Sequence, residues 1–155
     1  MSSDQASRDT ASIDNLVRAL YESISFEPDS QPDYKRLRAI FHPEGRLIPP
    51  RERPGDPVNV LDLESFIRTS REHIIVTGME GKGFSEREIH RTVDALGSLM
   101  QIFSTYESKL LSPDAPPPQR GVQSIQAVRE GERWLVISIL WEVESARSPI
   151  PAKYL

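Results

Sequence analysis

The chain of 155 residues contains no cysteine. This absence excludes disulfides, thiolate nucleophiles and Cys-rich zinc sites, and it fits a reducing compartment. Long hydrophobic runs are also missing. The longest, residues 135–141, is interrupted by a serine and is far shorter than the roughly 20 residues that a membrane helix needs. Residues 1–11 lack the apolar segment of a signal peptide. We therefore expect a soluble, cytoplasmic protein with no membrane partner.

An excess of positive charge is missing as well. The sequence has 19 Lys and Arg against 23 Asp and Glu, for a formal net charge of −4, and its basic residues are scattered among acidic ones. Nucleic-acid binding requires Lys and Arg gathered on one surface, so we expect no nucleic-acid partner. Phosphate-binding loops, dinucleotide fingerprints and nucleophile elbows are absent too. We expect neither a cofactor nor a metal.

Hydrophobic spacing in the first half predicts three helices. Apolar residues recur at steps of three and four after Ser12, which can act as an N-cap. A second helix starts after Asp33 and must end before Pro43, because proline disfavours a helical conformation at the preceding residue. A third spans about residues 62–75. We assign residues 1–11 to a flexible N-terminal tail, 12–145 to one domain, and 146–155 to a C-terminal tail that docks on it.

The second half predicts antiparallel sheet. Two hairpins contain strands over residues 86–95 and 99–109 and over 121–128 and 133–144, with turns at Gly97-Ser98 and Glu130-Gly131; a short edge strand over 45–49 comes before them. Helices followed by a run of strands indicate an α+β fold. We expect three N-terminal helices packed on a strongly curved antiparallel sheet of four long strands plus the short edge strand.

The two turns also predict which side chains share a face of the sheet, because cross-strand partners point the same way. We pair Ala95 with Met100 and Gln126 with Leu135. The residues then predicted to line the inner face, both polar and apolar, are Arg91, Met100, Ile102, Ser104, Tyr106, Ser124, Gln126, Ile137 and Trp141. A slip of one residue would exchange the faces. Glu88, His90 and Glu107 then fall on the outer face, in a pattern more typical of a solvated cluster than of a metal site.

The last strand, residues 134–143, is apolar on both faces. Helices can cover only one of them, so the outer face needs another partner. A second copy of the chain is the simplest candidate. We therefore expect a homodimer through the outer sheet face.

Three short segments carry a resemblance to a known family. They are Phe41-His42-Pro43, Gly97 in the first hairpin turn, and Gly131-Glu132-Arg133-Trp134 before the last strand. Over residues 12–145 the chain resembles the nuclear-transport-factor-2-like superfamily, and within it the SnoaL-like group. The resemblance implies a cystatin-like cone of curved sheet closed by helices, with a ligand pocket or active site inside. Its members include isomerases, cyclases, dehydratases, hydrolases and non-catalytic modules, so the fold does not decide the function.

The isomerase chemistry of that superfamily is disfavoured here. By the resemblance, the carboxylate base falls at Pro49 and the acid of the oxyanion hole at Ser124, while a helix tyrosine of the hole lies near Tyr21. Proline cannot accept a proton, and serine is a weaker donor than a neutral carboxylic acid.

The remaining candidates support two hypotheses. In the first, the cone binds a small hydrophobic or aromatic molecule, with lyase or isomerase chemistry as one form of this function. His42, Tyr21 and Tyr106 are the catalytic candidates and Arg91 a ligand anchor; the other proposed ligand-binding residues are Met100, Ile102, Ser104, Ser124, Gln126, Ile137 and Trp141. The simpler roles are a helix-end histidine, a packed tyrosine and an Arg–Glu pair. The second hypothesis is a non-catalytic dimeric binding or assembly module.

Overall fold

A computed structural model describes residues 3–155, so the part of the predicted tail at positions 1 and 2 lies outside it. Over that range the chain forms five α-helices and six strands. The helices are α1 Ser3–Asp9, α2 Ile13–Ile24, α3 Tyr34–Ala39, α4 Leu63–Val76 and α5 Met79–Lys82; the strands are β1 Phe41–Ile48, β2 Leu61–Asp62, β3 Phe84–Leu96, β4 Leu99–Leu110, β5 Gln119–Glu130 and β6 Arg133–Val143. None of the described helices combines the length and apolar character that crossing a membrane requires.

The three predicted helix starts are confirmed by their caps. The Ser12 hydroxyl accepts a hydrogen bond from the Asn15 amide at 3.2 Å. Asp33 caps α3 and Asp62 caps α4 in the same way, at 3.0 and 2.8 Å. Each cap satisfies an amide that has no partner within its helix, which fixes where the helix begins.

The α+β class is confirmed, with one change in the sheet. Its strand order is β2-β1-β6-β5-β4-β3, and all neighbours are antiparallel except β1 and β6, which are parallel. The short strand predicted at residues 45–49 is longer, Phe41–Ile48, and it is not the edge, because the two-residue β2 pairs with it. The helices pack on one side of the sheet, called here the inner face, and enclose the core.

The N-terminal segment differs from the flexible tail predicted for it. Residues 3–9 form α1, and Asp9 is buried against Arg36, with 2.9 Å between carboxylate and guanidinium. The carbonyl of Thr10 accepts a hydrogen bond from the Trp134 amide of β6. Side-chain periodicity could not show this attachment, because it depends on a buried ion pair and a backbone bond.

At the other end, residues 152–154 form a single 3-10 turn against the outer face. The Tyr154 ring lies 4.7 Å from the Phe103 ring, between centroids, and the Thr105 hydroxyl donates to the Tyr154 carbonyl at 2.7 Å.

The first hairpin confirms the predicted pairing near its turn and departs from it further along. Arg91 is opposite Ser104, and Ala95 is opposite Met100. Ile89, however, has no partner and forms a β-bulge, so Glu88 rather than Ile89 lies opposite Tyr106. The extra residue restarts the alternation of side chains. Glu86 and Glu88 therefore lie on the inner face, and the placement of Glu88 outside with His90 was wrong.

The second hairpin turns one residue later than predicted, at Gly131-Glu132, with Glu130 opposite Arg133. A turn displaced by one residue leaves the alternation unchanged, and the faces of β5 are set instead by its pairing with β4, where Ile102 is opposite Ile125 and Ser104 is opposite Gln123. The inner residues of β5 are Gly121, Gln123, Ile125 and Ala127, and the inner placement of Ser124 and Gln126 was wrong. A second bulge, at Ile137 of β6, reverses the alternation there and places Trp141 on the inner face opposite Gln123.

Candidate functional site

A pocket of about 210 Å³ lies between the inner face and the helices. Most of its wall is apolar and is supplied by almost every element around the cone: Leu20, Ile24, Phe26, Pro32, Tyr34, Leu37, Leu47, Phe66, Ile74, Met79, Phe84, Ile139 and Trp141. Phe66 of α4 meets Trp141 of β6 edge to face, with 5.9 Å between centroids, and this contact ties the helix to the sheet.

One carboxyl group reaches into this apolar wall. Glu86 projects inward from β3, and its Oε1 accepts a hydrogen bond of 2.7 Å from Nε2 of the buried Gln123. Burial raises the pKa of Glu86 to about 7, although the bond from Gln123 opposes the shift. A carboxyl group with such a pKa exchanges its proton near neutral pH, which suits acid–base chemistry.

Two further polar side chains, Ser70 and His73, line the pocket from α4. His73 is exposed to solvent, so it lies at the mouth. Together with Glu86 and Gln123 they give the pocket an apolar body and a few polar groups, as small-molecule sites commonly have.

A second inward carboxyl, Glu88, belongs to a chain of polar contacts beside the pocket. Arg91 holds it through a guanidinium contact of 2.8 Å, and Asp14 of α2 binds the far side of Arg91. The Ser104 hydroxyl donates to Glu88, and the Tyr21 hydroxyl lies 2.7 Å from Ser104. Because Ser104 gives its proton to Glu88, Tyr21 is the donor in the last contact.

The predicted catalytic residues do not meet at one point. Burial raises the pKa of Tyr21 and that of Tyr106 above the ordinary tyrosine value, so both hydroxyls stay protonated. Tyr21 is bonded to Ser104, and Tyr106 packs across Gly121, where an added Cβ would overlap its hydroxyl. His42 lies elsewhere, with its Nδ1 accepting from the Glu44 amide and its Nε2 3.6 Å from Glu130.

The predicted ligand-binding residues are also dispersed. Trp141 lines the pocket, whereas Met100 and Ile102 pack in the core next to it. Ser104 and Arg91 belong to the contacts around Glu88. Ser124 and Gln126 lie on the outer face, and Ile137 is in the bulge of β6.

Sequence reasoning missed Glu86 and Gln123, which supply the polar end of the pocket. Both lie in strands predicted from the sequence, but neither was among the residues assigned to the inner face. The bulge at Ile89 is the reason for the omission of Glu86, because nothing in the residues around it announces an unpaired position. Among the described residues, no group of three His, Cys, Asp or Glu is arranged to hold a metal ion.

Comparison with known proteins identifies the fold but not the function. No family model and no curated protein matches the chain. Many solved structures do. A protein of unknown function from Nostoc punctiforme, described as having a cystatin-like fold, superposes with a TM-score of 0.62 at 12% identity over 84% of this chain and 88% of its own. A protein of unknown function from Pseudomonas putida, described as nuclear-transport-factor-2-like, gives 0.56 at 13% identity over 77% and 80%.

The chain therefore has the cystatin-like, nuclear-transport-factor-2-like fold. A Kribbella flavida protein also superposes on the chain, with a TM-score of 0.61 at 14% identity over 86% of this chain and 88% of that one. The resemblance expected from the hairpin and helix segments is confirmed at the level of the superfamily's fold. The narrower likeness to the SnoaL-like group stays a prediction.

Proposed function

We propose that the chain binds a small apolar or aromatic molecule in the pocket and that Glu86 contacts its polar end. The observation that carries the proposal is a single carboxyl group facing a largely apolar cavity of about 210 Å³. An apolar protein cavity of about 150 Å³ accepts benzene, so a substituted ring is of suitable size. Lyase or isomerase chemistry would use Glu86 as the acid–base group, in place of His42, Tyr21 or Tyr106.

The pocket can be closed by one substitution. Ser70→Trp puts an indole at the mouth, whereas Thr69→Trp puts the same group on the exposed side of α4, away from the lining. We expect benzyl alcohol to shift the amide resonances of Glu86, Gln123 and Trp141 in the wild type and in Thr69→Trp, but not in Ser70→Trp. Shifts that persist in Ser70→Trp, or that are absent from the wild type at millimolar probe, would contradict the proposal.

The alternative is an assembly module, and one observation favours it. Leu140 is 47% exposed although it belongs to β6, a strand inside the sheet, and the groove beside it on the outer face includes Val58 and Phe103. We propose a homodimer through this part of the outer face.

Light scattering after size exclusion tests the dimer. Leu140→Glu should convert it to monomer, while Leu96→Glu, at the exposed tip of the first hairpin, should leave it intact. The working concentration is about 1 µM. If the wild-type chain is still monomeric at 100 times that concentration, the dimer is ruled out.

A further inference from the structure

Over the described part of the chain, the lining of the pocket contains an acidic side chain but no Arg or Lys to balance it. Among the described lining residues, Glu86 supplies a carboxyl group and His73 an imidazole, and neither Arg nor Lys is present. An anionic ligand would therefore enter an apolar site next to a carboxyl group and find no cation to pair with. This argues against an anionic ligand held by Arg91, the predicted ligand anchor, since Arg91 is held by Glu88 and Asp14 outside the lining.

Glu86 itself has no counter-ion within residues 3–155. Its side-chain partner is the neutral Gln123, which bonds to Oε1 and leaves Oε2 without a hydrogen bond from another side chain. Glu88, two residues along the same face, has Arg91 instead. A partly buried carboxylate is stabilised when a cation approaches it. Glu86 also borders the surface groove that holds Arg18, Arg87 and Arg91, but none of them forms an ion pair with it, so a cationic ligand can take that place.

Aromatic rings supply the second part of the environment. Five lining residues are aromatic: Phe26, Tyr34, Phe66, Phe84 and Trp141. The faces of such rings attract cations. One of them already does so in this chain, since the Arg71 guanidinium lies 5.0 Å from the centroid of the Tyr34 ring, outside the pocket.

We infer that the pocket selects a protonated amine carried on a compact apolar or aromatic body, with the ammonium group at Glu86. The inference rests on the proposed binding function and adds the charge of the ligand to it. The ammonium would pair with the Glu86 carboxylate while the ring or alkyl body fills the space under Phe66 and Trp141. Nothing is transferred in this step except the proton that Glu86 gives up when the cation binds.

Three probes of nearly equal shape test the charge preference. Benzylamine is cationic, benzyl alcohol neutral and benzoate anionic at pH 7.5. By calorimetry or NMR titration of the full chain, benzylamine should bind about tenfold or more tightly than benzyl alcohol, the usual gain from a charged hydrogen bond. Benzoate should bind most weakly. Equal affinities, or a preference for the alcohol, would overturn the amine assignment and leave the pocket function standing; no binding of any probe would overturn both.

Substitution identifies the group responsible. In Glu86→Gln the amine should lose its advantage over the alcohol, while the alcohol affinity changes less than threefold. The matched control, Glu88→Gln, should keep the advantage, because Glu88 does not line the pocket. A preference that survives in Glu86→Gln contradicts the inference.

The pH dependence gives a test that needs no variant at Glu86. Benzylamine affinity should rise between pH 6 and pH 8 as Glu86 ionises, and benzyl alcohol affinity should not. The other titratable or charged groups facing Glu86 are Tyr21 and Tyr106, which stay neutral here, His73 at the pocket mouth, and Glu88, Arg87 and Arg91 on the groove side. Repeating the series in His73→Gln isolates Glu86, and a flat profile for benzylamine in that background would contradict the inference.

Discussion

Glu86 and Glu88 project from the same face of β3, two residues apart, into different surroundings. Glu88 is held by Arg91 and receives the Ser104 hydroxyl, and the cluster opens to a surface groove. Glu86 faces an apolar pocket and has a neutral amide as its partner. The comparison shows how the neighbours of a carboxyl group, rather than its position along a strand, decide whether it stabilises the fold or is left for a ligand.

The largest expected effect is on the free energy of unfolding, and it has opposite signs for substitutions at Glu86 and at Glu88. Burial raises the pKa of Glu86 from 4.5 to about 7. Between these values the folded chain keeps a proton that the unfolded chain releases, so the free energy of unfolding falls as the pH rises, and the fall ends above pH 7. Glu86→Gln removes this loss of stability, because glutamine does not ionise. We expect it to exceed the wild type in stability by up to about 3 kcal/mol at pH 8 and by little at pH 4.

Urea unfolding at the two pH values measures the difference. Glu88→Gln is the matched variant, and it should be less stable than the wild type at pH 8, since it weakens the contact to Arg91. The comparison would fail if both variants changed stability in the same direction at pH 8.

The second effect concerns the pairing of Glu88. Arg91→Met leaves Glu88 partly buried without its cation and should lower the free energy of unfolding by about 2 kcal/mol, less than for a fully buried pair because both groups keep about a fifth of their surface. Arg87→Met is the control on the outer side of the same strand. It loses an exposed contact to Glu107 and should change stability by about 0.5 kcal/mol or less.

Combining Arg91→Met with Glu88→Gln should recover part of the loss, because the unpaired charge is then gone. If the double variant were as unstable as the sum of the two single ones, the two residues would not act as a pair.

The smallest expected loss of stability tests which residues of β4 and β5 lie on the inner face. Ser104→Ala removes the hydroxyl that joins buried Tyr21 to Glu88 and should cost about 1–2 kcal/mol. Ser124→Ala changes the same residue type on the outer face and should cost much less. Equal losses in denaturant melts would mean that the face assignments of β4 and β5 are wrong.

Local signals in the sequence predicted much of this architecture. Caps at Ser12, Asp33 and Asp62 set the helix starts, because a cap depends on neighbouring residues only. The α+β class followed from the order of helical and alternating patterns. Near its turn, the first hairpin could be paired from Gly97 outward.

The site could not be predicted in the same way. A bulge at Ile89 reversed the alternation along β3, and the pairing of β5 with β4 put the odd-numbered residues of β5 on the inner face. Both features depend on contacts between strands rather than on local preference. Trp141 was placed on the correct face although the inner face of its hairpin was wrong near the turn, since the bulge at Ile137 reverses the alternation along β6. Gln123 and Glu86 were consequently missed.

The bulge at Ile89 has a consequence for comparing relatives of this chain. It supplies one of the 13 residues of β3 that separate Gly83 from Gly97. A homologue of the same length with regular pairing throughout β3 would turn both glutamates toward the outer face, whereas one that lacks the extra residue would keep them inward. Two sequences aligned at these glutamates can thus place them on opposite faces, and the pairing of this segment is as informative about ligand chemistry as the residues within it.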